Sequence, residues 1–441
     1  MSKSTIRILT TLGIIVMLLA SWYSMINKGT KLNKEYNTYI ETARDKAKLQ
    51  IKKDALLNYQ KALDMKESIE LRDEIAQFYQ DIGDNSGYID WCLQIIEKYP
   101  YDKIGYERAV AYYAGKNDYY TCYETIQTAQ RREIESENIN KIKEKSKYKY
   151  ETTYVSYPNV GIYTASYFPV QKDNGLWGYM NAYGEVKISN VYTQYNVFTS
   201  AGVAPVYTQK GRWELIDTSG NTKSADVEQK NIEDVRPVYS DMMAVKYNGK
   251  YHYCDTTFKE KFGEYDDASA FSCGVAAVRK GGTWSIIDEK GNQVGSNTFD
   301  EIIMDDKTVA FRNDVAFAKK GNKYILIDTK GNQVGNSSWD EVDAFNSDQP
   351  AAVKIGEKWG FVNTKGETVV EPIYNCAHSF SNGFAAVMKL DKWGYIDIDD
   401  KNICIECQYS DAGDFSDGGS AFVKQEKEWT LIKIYSISKQ K

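Results

Sequence analysis

Eight aromatic residues recur at nearly even intervals through the C-terminal two-thirds of the chain. They are Trp177, Trp213, Tyr251, Trp284, Tyr324, Trp359, Trp393 and Trp429. The successive spacings are 36, 38, 33, 40, 35, 34 and 36 residues. A period in this range means that one supersecondary unit is repeated and stacked on its neighbours. This constrains the fold more than any single residue can.

Alignment on these anchors explains the unit. Four residues after the anchor stands Asn181, Asp217, Asp255, Asp288, Asp328, Asn363 or Asp397. Seven after it stands Gly184, Gly220, Gly291, Gly331 or Gly366, with Asp400 and Ser436 in that place in the last two units. Asp or Asn at the first turn position binds the backbone ahead of it, and glycine supplies the positive φ that closes the turn. Each anchor strand therefore ends in a tight turn, and a second strand returns. A further strand precedes the anchor. Ala276, Ala316, Ala351, Ala385 and Ala421 lie eight residues before it, and Val278, Ala318, Val353, Val387 and Val423 six before it. The period of two puts both sets on one face. The small alanine leaves room for an aromatic of the same or the next unit.

The C-terminal region, 153–438, is thus expected to be all-β, with about eight meanders of three to four strands. A closed, propeller-like ring hides its sheet edges by radial repetition and is the favoured arrangement. An open β-solenoid is the alternative. The anchors and the Asx-x-x-Gly turns are read as structural. Any ligand contact is expected in what varies between units: the turns, the insertion before Tyr324, and the places where Trp-Gly is broken.

Trp-Gly at 177, 359 and 393, the Asx-x-x-Gly turn and the preceding Gly-x-Ala-x-Val resemble the WG-repeat family over about 155–435. Lys358 to Tyr374, followed by Phe380 to Val387, carries the pattern most fully. Units at 213, 284 and 429 lose the glycine after Trp, and those at 251 and 324 replace Trp by Tyr. The resemblance implies a repeat identity and assigns no ligand.

Residues 30–130 read as helices, with apolar residues at spacings of three, four and seven. Ala76-Gln-Phe-Tyr79 before the turn Gly83-Asp84, and Pro100 after a second helix, resemble tetratricopeptide repeats over about 36–130. That resemblance implies stacked helix pairs with a groove for peptides or partner helices. A helical stalk without a ligand is the plainer alternative. The highly charged segment 131–152 is expected to be a solvated helical linker.

Residues 1–29 form a tail and an expected membrane anchor. Ile8 to Ile26 carries no charge, is long enough to span nearly all of a hydrocarbon core of about 30 Å, and ends near Trp22 and Tyr23. A cleaved signal peptide needs a small-x-small site, and Ala20-Ser21-Trp22 is a poor one. The layout predicts a single-pass, N-terminally anchored protein with an extracytoplasmic body. The fold class is therefore α+β and multidomain: transmembrane helix, helical hairpins, then a β-repeat domain.

Composition narrows function. The chain of 441 residues carries a net charge of -6, without the basic surplus of a nucleic-acid binder. Seven dispersed cysteines read as buried thiols. Cys404 and Cys407 form a CxxC without a second pair or an ensuing helix, so neither metal nor redox work is expected of them. His252 and His378 read as structural. Asp266-Asp267 and Asp305-Asp306 read as turn-makers. Asp397 to Asn402 lacks the glycine and glutamate of a calcium loop. No nucleophile, phosphate or zinc motif is present. The expectation is a non-enzymatic, membrane-anchored scaffold with a protein partner and no metal or cofactor. Carbohydrate or cell-wall binding is the alternative, and a glycoside hydrolase a further one.

Overall fold

The computed structural model describes the backbone of residues 3–223 and 231–438, with side chains for 15–223 and 231–437. The chain divides into two compact units, Met1–Ser146 and Lys147–Lys441.

The first unit is helical: α1 (Lys3–Lys48), α2 (Lys52–Met65), α3 (Ile69–Asp81), α4 (Asn85–Lys98), α5 (Lys103–Gly115), α6 (Tyr119–Arg131) and α7 (Glu137–Lys145). Each of the last five starts at a capping side chain. Ser68, Asp84, Asp102, Asp118 and Ser136 accept from N–H groups of the first turn. α3 and α5 start 34 residues apart, as do α4 and α6. The buried Tyr59, Tyr106 and Tyr123 keep their hydroxyls paired, with Glu74, the Pro100 carbonyl and the Lys143 carbonyl.

The charged segment 131–152 is helical over α7 with most of its side chains turned to solvent, and this helix is docked on its neighbours. Ser136 caps α7 and donates to Glu107 at 2.6 Å, and Ile139 is buried. Buried Ile139, the Ser136–Glu107 contact, and Tyr123, which donates to the Lys143 carbonyl and accepts from Ser146, dock this short charged helix. Residues 150–152 already belong to a β-strand.

The uncharged stretch 8–26 is helical within α1. Side chains 8–14 lie outside the described residues. From Ile15 to Ile26 the large apolar side chains are exposed, Trp22 at 64% and Tyr23 at 68%. Among the described residues no helix is long and apolar enough to cross a membrane. The described remainder, 15–26, would cover about 18 Å of a core of about 30 Å.

In the second unit all eight anchors lie on strands. Each anchor strand pairs antiparallel with the strand before it, as in Val275–Lys280 with Thr283–Asp288 or Phe384–Lys389 with Lys392–Asp397. Most hairpins add a two-residue strand on the near side, such as Glu341–Val342 or Asp411–Ala412. Several add an outer strand, such as Thr368–Tyr374 or Ile403–Tyr409. The described strands form seven sheets rather than eight. Val186–Gln194 pairs with Val203–Thr208 and so joins the first two hairpins in one six-stranded sheet.

Successive sheets pack face to face. Trp284 and Ile286 meet Ala316 and Ile325, and Trp359 and Phe361 meet Ala385 and Val387. The last sheet meets the first. Phe422 and Leu431 share a cluster with Phe168, Val170 and Met180. Strand Tyr150–Tyr157 at the start of this unit pairs with Glu428–Ile434 at its end. The array is therefore a closed β-propeller, and the open solenoid is set aside by that closure.

The Trp-Gly pair has a steric cause. A Cβ on Gly178, Gly360 or Gly394 would lie 2.5 Å from the carbonyl oxygen of Ile188, Val370 or Ile405 on the outer strand. The pairing with that strand shifts register at each of these places. The Trp284 and Tyr324 hairpins have two isolated bridges in place of that strand, Trp284 to Phe299 with Ile287 to Gln293 and Tyr324 to Trp339 with Ile327 to Gln333, and carry Ser285 and Ile325.

Candidate binding cavity

The residues singled out by periodicity are committed mainly to core and turns, and of the eight anchors Trp429 also lines the cavity described below. Trp213, Tyr251, Trp284, Trp359 and Trp393 are buried, and Trp177, Tyr324 and Trp429 are half-buried. Tyr251 and Tyr324 donate to Asp234 and Glu301 at 2.7 Å, so the tyrosine anchors bring their own acceptor. Asn181, Asp217, Asp288, Asp328 and Asn363 each accept two backbone N–H groups, two and four residues on. Gly184, Gly220, Gly291, Gly331 and Gly366 take φ of 78° to 89°. After Trp393 the turn is one residue longer: Lys401, not Asp400, takes the positive φ, and Asp397 accepts from Asp400 N–H. Ser436 lies in a short helix, Tyr435–Ser438, rather than a turn.

A different set converges between the hairpins. Gly161 to Tyr163 of the first, Tyr195 to Val197 leading into the second, Asp306 and Thr308 of the fifth, His378 of the seventh and Asp411 to Asp414 of the eighth line a cavity of about 570 Å3. Residues of such widely separated hairpins can meet only where the ring converges on its axis. The two-residue strands end beside it, which is how the fold positions these loops.

Its wall is acidic. Asp306 is exposed and makes no hydrogen bond or ion pair among the described residues. Asp414 accepts from the Asn346 amide at 3.3 Å, and Asp343 accepts from Ser379 N–H at 2.7 Å. Burial pushes the Asp414 carboxyl up to about 6; Lys307 and His378 oppose the rise, while Asp343 and Asp306 add to it. Burial likewise raises Asp343, despite the hydrogen bond from Ser379 N–H. The His378 ring stands edge-on to Trp393 with centroids 4.7 Å apart. Tyr195 lies 4.1 Å from Trp177, centroid to centroid, and Tyr163 donates to Asp417 at 2.6 Å.

Periodicity pointed away from this set, since most of its members fall outside the repeated phrase. One signal was available. The 40-residue interval before Tyr324 holds the insertion that contains Asp305 to Thr308. Within it Asp305 does make the turn, accepting from Lys307 and Val309 N–H and pairing with Arg312 at 2.8 Å. Its neighbour Asp306 instead faces the cavity.

The remaining candidates are placed as follows. Cys404 and Cys407 lie on opposite faces of one strand, in different clusters. Burial pushes the Cys404 thiol up to about 12 and raises Cys407 as well. His252 stacks on Tyr247 and sits 3.2 Å from Glu260. Among the described residues no group of three His, Cys, Asp or Glu side chains is arranged to hold a metal. In the helical unit a groove of about 590 Å3 runs between α3, α5 and α7, lined by Asp73, Tyr88, Glu107, Arg108, Lys141 and Lys145.

Three segments, 253–284, 359–393 and 393–429, match the family model for the WG containing repeat. No curated protein matches the sequence. Among solved structures the chain is similar to BamB from Moraxella catarrhalis, at 10% identity and a TM-score of 0.41, over 65% of this chain and 98% of that one. It is similar to the C-terminal WD40 domain of Sif2 at 12% identity and a TM-score of 0.42, again over 65% and 98%. Kluyveromyces lactis Hsv2 follows at 8% and 0.38, over 53% and 89%.

Proposed function

We propose that this protein is a non-enzymatic, membrane-anchored scaffold that binds a protein partner through its β-propeller and its helical hairpins. The observation that carries the reading is the division of labour in the ring. Most repeated residues are spent on core and turns, and most residues lining the cavity fall outside the repeated phrase, the anchor Trp429 excepted. A fold that fixes its frame by repetition and varies its loops is suited to binding.

The 34-residue helix spacing and the groove between α3, α5 and α7 favour a tetratricopeptide-like docking surface in the first unit. The exposed apolar side chains from Ile15 to Ile26 favour a membrane anchor, with the body outside the cytoplasm. The carbohydrate reading has Tyr163 and Tyr195 beside Asp306 in its favour.

The test is cross-linking of the full chain in its native membrane, followed by identification of what is joined to it. A protein partner joined through both units is expected. Recovery of glycans alone would favour the carbohydrate reading. Turnover of a glycan or peptide by the purified chain, lost on a single Asp substitution, would overturn the non-enzymatic one.

A further inference from the structure

We propose that the cavity on the ring axis binds the charged end of an organic cation. The group is a primary ammonium or a guanidinium, carried by a basic side chain of a partner or by a free polyamine. The inference rests on the binding reading above and gives it a chemistry at one place.

Size and construction come first. About 570 Å3 suits a small ligand or one long side chain. The walls come from loops of the first, second, fifth, seventh and eighth hairpins, held by four sheets of which the first two hairpins share one, so the cavity is formed before a ligand arrives. Asn196 ties its loop to the Val235 carbonyl at 2.9 Å, and Asn382 ties the seventh hairpin to the Phe415 carbonyl at 2.7 Å.

Charge decides the class. Asp306, Asp411 and Asp414 line the cavity, with His378 as the basic group among the lining residues. Carboxylates withdrawn from bulk water are ordinarily paired. Here the buried Asp414 has one amide contact at 3.3 Å, and Asp306, which is exposed, adds a carboxylate without a partner among the described residues. Their oxygens keep acceptor positions open toward the cavity. Thr308 also lies on the lining, with its Oγ1 out of solvent and without a hydrogen-bond partner. Tyr163 and Tyr195 line the same cavity, Tyr163 packed on Phe168 and Tyr195 on Trp177, so the walls beside the carboxylates are aromatic. A neutral sugar would donate hydroxyls to these carboxylates but leave their charge unpaired.

The site is also tuned by pH. Lys307, His378, Asp343, Asp306 and Asn346 face Asp414, and its carboxyl, pushed up to about 6, is charged at pH 7.5 and largely neutral at pH 5. Cation binding therefore weakens on acidification.

The test is calorimetric titration of the purified full chain at pH 7.5 and low salt with three probes: spermidine, acetyl-Gly-Arg-Gly-amide and acetyl-Gly-Gln-Gly-amide. At least one cation is expected to bind and the neutral peptide is not. Spermidine alone identifies a free polyamine, and the arginine peptide alone a partner's side chain. Asp306→Asn and Asp414→Asn should each weaken binding at least about 10-fold, the range of one lost charged hydrogen bond. Asp306 is exposed and unpaired, so its variant keeps the fold intact. Equal binding of the neutral peptide, unchanged affinity in Asp306→Asn, or no cation binding overturns the proposal. If no cation binds while the chain still cross-links to a protein, the cavity assignment falls and the scaffold reading stands.

Discussion

Phe168 and Phe422 meet edge to face with ring centroids 5.1 Å apart, although 254 residues separate them in the chain. Their contact joins the first hairpin to the last. Both are essentially out of solvent, at 2% and 1% exposure. In an open superhelix these two rings would never approach. Closure therefore predicts a measurable coupling. Each single alanine variant should cost about 3–5 kcal/mol in urea unfolding. The double variant should cost less than the sum by about 1 kcal/mol, the usual worth of an aromatic pair beyond its burial. Strict additivity would speak against a closed ring in solution.

The Asp343–Asp414 region makes stability depend on pH in an unusual direction. Both carboxyls are raised by burial, Asp414 to about 6. A carboxyl whose folded value exceeds its unfolded one stabilises the fold most below the unfolded value, near 3.9. That contribution is lost as pH rises through about 6. The ring should gain stability from this pair on mild acidification, while ordinary surface carboxylates act oppositely. Asp414→Asn should raise the melting temperature at pH 8, by an amount corresponding to about 2 kcal/mol, and leave it unchanged at pH 4. A variant equally stabilised at both pH values would show that Asp414 does not titrate there.

The glycine after the anchor tests how the outer strand is built. Gly360→Ala would drive a Cβ to within 2.5 Å of the Val370 carbonyl oxygen, a backbone atom that cannot swing aside. A loss of about 3 kcal/mol or more is expected in chemical denaturation. The reciprocal change, Ser285→Gly, meets no such strand and should cost about 1 kcal/mol or less, mainly from backbone freedom. Similar losses at both positions would detach the glycine from the bulged outer strand.

These glycines also mark what was legible in the sequence. Trp359-Gly360 and Asn363 to Gly366 announce a strand, its turn and its register, because local backbone geometry demands those residue types. Local rules therefore yield the hairpins. Ring closure depends on Phe168 meeting Phe422 and on Tyr157 lying opposite Trp429, pairings between the two ends that no local rule specifies. The cavity was harder still. Asp306, His378 and Asp414 are far apart in the chain and carry no shared motif; only the topology brings them together. The charged segment before the ring was legible as a solvated helix but not in its docking, which rests on Ile139, on Ser136 donating to Glu107 and on Tyr123 donating to the Lys143 carbonyl.

The Asx turn is a stability device with a defined cost. Asp328 accepts from Lys330 and Asn332 N–H at 2.9 and 2.8 Å, and from the Asn332 side chain at 3.0 Å. Asp328→Ala removes all three acceptor contacts and should destabilise the ring by about 1–2 kcal/mol. Asp328→Asn keeps the turn, as Asn363 does in the sixth hairpin, and should restore most of the loss. If both variants lose equally, the charge rather than the turn geometry matters, consistent with the downward shift of this carboxyl.

Cys273 offers a direct readout of membrane sidedness. It is exposed, whereas Cys92, Cys122 and Cys254 are buried and Cys376, Cys404 and Cys407 half-buried. Burial also raises the thiols of those six, which slows their reaction as thiolates. A membrane-impermeant maleimide applied to intact cells should therefore modify Cys273 first, with Cys273→Ser abolishing the fast phase. An extracytoplasmic ring gives labelling before lysis. Labelling only after lysis would put the ring on the cytoplasmic side and reverse the proposed orientation.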